Sequence, residues 1–95
     1  MENNSVFKTL GVGTFGEGEG GPTAERLFRV QPGHNADFAL EQSALLATCA
    51  YKLTLQAGIE PDGTLIWAAH YLSGMSKALV EDVAHAMLTE PQRAP

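Results

Sequence analysis

The chain has 95 residues, enough for one small domain and too few for a second catalytic one, because independently folding domains usually need on the order of 50 to 200 residues. Six Lys and Arg against eleven Asp and Glu give a net charge of −5, which opposes the phosphate neutralisation that drives nucleic-acid binding. No apolar run approaches the roughly 18 residues needed to cross a bilayer, so neither nucleic acid nor membrane is expected as a partner.

Hydrophobic residues make up 44% and charged residues 18%, a balance that supports a folded core. Cys49 is the single cysteine, so no intrachain disulfide can form. The start Met1-Glu2-Asn3-Asn4-Ser5 lacks the basic and apolar regions of a secretory signal. A reducing, cytoplasmic setting is the expectation.

Composition divides the chain. Residues 1 to 34 hold seven of the ten glycines, six of them between Gly11 and Gly21, and are expected to be irregular. Within them Val6-Phe7-Lys8-Thr9-Leu10 and Leu27-Phe28-Arg29-Val30 have the β-branched and aromatic content of short strands. The glycines raise the entropic cost of ordering, so residues 1 to about 22 are expected to contribute little to helix content. Pro32-Gly33 marks a turn, and Asn35 stands where an N-cap would accept amides of a first helical turn.

Residues 35 to 90 read as a helical hairpin domain. A first helix is expected over about 36–57, closed by Gly58 at positive φ. Glu60-Pro61-Asp62-Gly63 follows as a turn. Asp62 or Thr64 can cap a second helix over about 65–88, with Leu65, Ala69, Leu72, Met75, Leu79, Val83 and Ala86 at helical spacing. Thr89-Glu90-Pro91 ends the pattern, and residues 91–95 read as a disordered tail. The short connection favours an antiparallel arrangement, so the fold class is mainly α: a helical hairpin after a Gly-rich segment with one or two short strands.

Both helices are apolar on more than one side. The second has a main stripe of Leu65, Leu72, Leu79 and Val83, and another of Trp67, Tyr71 and Ala78 beside Gly74. The first carries Phe38, Leu45, Leu46, Cys49 and Leu53 on one side and Leu40, Ala44, Ala47, Tyr51 and Leu55 on another. A two-helix hairpin covers one face of each helix, and a core of this size seldom supplies the few kcal/mol a fold requires. A homodimeric four-helix bundle is therefore expected, with cover by residues 1 to 34 as the alternative. Tyr51, Trp67, Tyr71, Gly74 and Ala78 are the candidate interface or pocket residues, Gly74 as a place where another helix approaches closely.

Motifs with sharper chemistry do not hold in their context. Gly11-Val12-Gly13-Thr14-Phe15-Gly16 matches G-x-G-x-x-G, yet acidic, flexible Glu17-Gly18-Glu19-Gly20-Gly21 follows where a phosphate-binding helix would have to begin. A turn-forming segment is the better reading. His70 and His85 lie about 22 Å apart along one helix and cannot share a metal ion within a monomer. His85 is expected to sit in a surface pair with Glu81 and Asp82, and Cys49 to be a buried small hydrophobe. Ser43, Ser73 and Ser76, in Ala-rich surroundings, suit close helix packing rather than nucleophilic catalysis. The pairs Glu17/Glu19, Glu60/Asp62 and Glu81/Asp82 read as solvated charge, unsuited to acid catalysis. No catalytic residue, metal site or cofactor is expected.

Leu10 to Gly20, Leu27-Phe28-Arg29-Val30 with Pro32-Gly33, Ala39 to Leu46, Trp67 to Leu72 and Met75 to Val80 together resemble the short bacterial proteins of the family called domain of unknown function 3077. These are packing-type residues, and the resemblance carries over no catalytic or binding residue. It implies a small stand-alone bacterial protein. The expected function is a noncatalytic, self-associating helical module that contacts another protein, in a regulatory or adaptor role. A small-molecule binder with an apolar pocket between helices, near Tyr51, Trp67 and Tyr71, is the alternative.

Overall fold

The structure is a computed structural model that describes residues 6–21 and 24–89. The expected tail at 91–95 lies outside the described residues.

Two long helices dominate. Helix α1 spans Ala36–Ile59, a stretch of strong helix formers with no proline and a single glycine near its end. Its expected close at Gly58 is corrected: Gly58 keeps a helical backbone without positive φ, and the helix runs on to Ile59. It stops at Glu60, at φ −131° and ψ 88°, because the ring of Pro61 disfavours a helical residue before it. Helix α2 spans Gly63–Thr89 and begins two residues earlier than expected. Asp62 supplies the cap: its Oδ1 accepts the Thr64 amide at 2.8 Å, and its carbonyl accepts the Ile66 amide at 3.1 Å.

Asn35 occupies the N-cap position of α1, but its side chain accepts no helix amide. Lys8 donates to that side chain instead, while the Phe7 carbonyl accepts the Ala36 amide at 3.0 Å. The start of α1 is thus capped from the N-terminal segment.

The antiparallel helices meet along a seam of small residues. Ala36, Ser43, Ala50 and Ala57 recur every seven residues on α1 and are buried, as are Ala69 and Val83 on α2. The Ser43 hydroxyl donates to the Ser76 carbonyl at 3.0 Å, the Ser76 hydroxyl to the Ser43 carbonyl at 2.9 Å, and the two oxygens lie 2.8 Å apart. A serine oxygen reaches a facing helix's carbonyl only when the backbones approach closely, which small residues at a seven-residue repeat allow. The same register joins Ala36 to Val83 in a buried cluster, with Ala39 beside them and Phe7, Leu40 and Leu79 packed around it. The close-packing role expected of Ser43 and Ser76 is met; Ser73 is exposed.

The N-terminal segment forms a two-stranded antiparallel hairpin. Strand β1 is Thr14–Phe15 and strand β2 is Phe28–Arg29, pairing Thr14 with Arg29 and Phe15 with Phe28. The expected strand at 6–10 is corrected to an isolated antiparallel bridge between Lys8 and Asn35. There Thr9, 2% exposed, is a hub: its amide donates to the His34 carbonyl and its hydroxyl to the Gln31 carbonyl, while the hydroxyl accepts the His34 amide.

At 100° per residue, Gly74, Ala78 and Asp82 point largely away from the Ala69, Ser76 and Val83 side of α2. The segment docks on that outer edge and reaches round to the start of α1, and the Cα extents are 54 × 34 × 16 Å. Large apolar side chains stay exposed on both helices, among them Phe38, Leu45, Tyr51, Leu55, Ile66 and Trp67.

Candidate functional site

The outer edge of α2 is organised around one carboxylate. Asp82 is fully buried, and its two oxygens accept four consecutive backbone amides: Leu10 at 2.6 Å and Gly11 at 3.3 Å on Oδ2, Val12 and Gly13 both at 2.6 Å on Oδ1. Successive amides turned to one side form a nest for an anion, and charge-assisted bonds of this kind are among the stronger ones in proteins. The turn needs Gly11, at φ +87°. It also needs Gly13, where a Cβ would stand 2.1 Å from the Ala78 carbonyl oxygen. Arg29 donates to the Gly11 carbonyl at 3.3 Å, and the Val30 amide to the Gly13 carbonyl at 2.9 Å, which ties the nest to β2.

Asp82 is therefore not the solvated charge expected from its neighbour Glu81. It lies on the outer side of α2 that the N-terminal segment covers, while Glu81 is exposed and pairs with Lys77 at 2.7 Å. His85 is exposed, and Lys77 has the place at Glu81 expected for it. The G-x-G-x-x-G segment is an anion nest after all, filled by the chain's own aspartate. Sequence carried one usable signal: an acidic residue spaced four from Ala78 and Ala86 on an apolar stripe, with glycines elsewhere to approach it.

Further along the same edge, Phe15 covers Gly74. A Cβ on Gly74 would lie 3.2 Å from the Phe15 Cβ, and the Phe15 ring stacks on Phe28 with centroids 4.9 Å apart. Gly74 and Ala78 thus receive the chain's own segment at the place where a second helix was expected.

The five candidate residues do not converge. Trp67 and Tyr71 are neighbours, centroids 6.2 Å apart, with His70 edge-on to both at 5.6 and 5.3 Å. Trp67 is 60% exposed. Tyr51 is 74% exposed and lines a separate hollow with Thr54, Ser73 and Lys77. Cys49 is exposed, not buried, because small residues rather than Cys49 occupy the seam.

Two cavities flank the N-terminal segment. One is an open apolar groove of about 330 Å³, lined by Phe15, Phe38, Leu46, Met75 and Leu79, with Gln31, His34 and Gln42 among its polar residues. The other, about 220 Å³, lies between the hairpin and α2 and takes Tyr71 and Gly74 into its lining. Among the described residues no group of three His, Cys, Asp or Glu side chains is placed to hold a metal ion, and no helix is long and apolar enough to cross a membrane.

A family model described as Protein of unknown function (DUF3077) matches residues 9–86. The chain belongs to that family. The match begins at Thr9, the hub of the N-terminal segment, and ends at Ala86, one turn beyond Asp82, so the DUF3077 unit includes both the nest and the carboxylate that fills it. No curated protein and no solved structure matches the chain.

Proposed function

We propose that this protein is a noncatalytic, self-associating helical module of the bacterial cytoplasm that works through protein–protein contacts, with a homodimeric four-helix bundle as its assembled form. The observation that supports this is the exposure of large apolar side chains along both helices. Stable domains bury apolar side chains between at least two layers. Here the seam is closed by alanine and serine, so the larger side chains point outward, Leu45 at 59% and Leu55 at 61% exposure. Stacking one face of the hairpin on that of a second copy would cover such side chains through an isologous contact.

Sedimentation over a dilution series tests the proposal. The parent is expected as a dimer, and Leu45→Glu or Leu55→Glu, whichever lies on the paired face, is expected to yield monomer of unchanged helicity. A parent that is monomeric at high micromolar concentration would overturn it.

The open groove supports a second reading, binding of an apolar small molecule between the helices. What supports it is the apolar lining of that groove by Phe15, Phe38, Leu46, Met75 and Leu79. Native mass spectrometry of protein from its own cells should then show a bound compound.

A further inference from the structure

The cavity between the β-hairpin and α2 gathers an uncommon set of side chains for so acidic a protein. Arg26 and Lys77, two of the chain's six Lys and Arg, line it together with His70, whereas Glu17 is its one acidic lining residue among the described residues. Phe15 and Tyr71 are its aromatic lining residues, the Phe15 ring carrying Phe28 stacked on one face. Gly16 and Gly74 add no side chain, which leaves about 220 Å³ open. From this convergence we propose that the cavity is a binding site for a small planar carboxylate, its anionic end held by Arg26 and Lys77 and its ring between Phe15 and Tyr71.

Chemistry favours a carboxylate on a flat body over a bare anion. Arg presents a planar fork matched to a carboxylate, and Lys adds a point charge. Two aromatic walls would be left half-used by a bare ion, but they give a ring stacking surfaces. Both cations have partners that an incoming carboxylate can replace. Arg26 meets Glu17 only at 3.8 Å, with side chains 37% and 70% exposed, and Lys77 pairs with Glu81 in an exposed i,i+4 contact. Exposed pairs of this kind contribute little, so exchanging them costs little. Glu17 is then a competitor inside the site, which gives the proposal a signature of opposite sign.

Benzoate is the probe, with benzyl alcohol as its neutral counterpart and inorganic phosphate as the anion without a ring. Titrations followed by amide chemical shifts are expected to move Gly16, Tyr71, Gly74 and Lys77 with benzoate, and to leave them nearly still with the other two. Arg26→Gln and Lys77→Gln should each weaken benzoate roughly tenfold, while Glu17→Gln should tighten it. All three positions are exposed, so helicity should not change. Equal responses to benzoate and either control, shifts scattered over the surface, or the same affinity in all three variants would overturn the proposal.

Discussion

The carboxylate of Asp82 and the backbone amide of Gly13 meet at 2.6 Å across 69 residues of sequence. That bond and its three neighbours fasten the glycine segment to α2, and they make Asp82 the residue whose loss should cost most.

Asp82→Ala is expected to destabilise the fold by roughly 2–5 kcal/mol, because four amides lose their acceptor in a site closed to water. Asp82→Asn keeps one acceptor but turns an NH₂ group toward amides that also donate, so it should fall between. Thermal melts at equal protein concentration rank the three. Equal midpoints for parent and Asp82→Ala would contradict the nest.

Gly13→Ala attacks the same contact from the other side. Its Cβ would meet the Ala78 carbonyl oxygen at 2.1 Å, a backbone atom that can move only with the helix, so the segment must lift. The double variant Gly13→Ala/Asp82→Ala should then cost much less than the two single changes added together, since each undoes one docking event. Additive costs in that cycle would separate the two effects.

At the seam, Ser43→Ala should cost little, removing one hydroxyl from a pair whose partner can still donate to the facing carbonyl. Ser43→Leu should cost several times more, because a large side chain between closely packed backbones forces the helices apart. Denaturant titrations of both variants read the difference.

Gly74→Leu sets two effects against each other. Leucine improves helix propensity by up to about 1 kcal/mol, yet its side chain enters the space of Phe15, whose Cβ would lie 3.2 Å from the new Cβ. Helicity should be kept while the β-hairpin loosens. Hydrogen exchange at the Leu27 and Val30 amides, which bond to Gly16 and Gly13, should speed up relative to amides inside the helices.

Long-range periodicity made the two helices readable, and their bounds follow to within two residues from Asp62, Pro61 and the Ala- and Leu-rich repeats. The serine contact was legible for the same reason, since Ser43 and Ser76 stood among alanines at helical spacing. The N-terminal segment was harder. Its regular structure amounts to two residues in each strand, and its order comes from Asp82, Gly74 and the end of α1, far away in sequence. Glycines there lowered the expectation of order, although the close approach to Ala78 is what demands Gly13. The candidate residues lie on apolar stripes, and a stripe does not say which neighbour covers it: the chain's own Phe15 covers Gly74, while Tyr51 and Trp67 remain on the surface.

The distance along the chain between the nest and its aspartate also fixes an order of events. The helices can pair around a three-residue connection, a local contact that forms fast. The glycine segment leaves the ribosome before either helix, yet its acceptor lies near the end of α2. During synthesis those amides wait in water, and the segment can dock only after α2 is nearly complete. A chain interrupted before Asp82 would therefore keep much of its hairpin but lack the clasp that closes its outer edge.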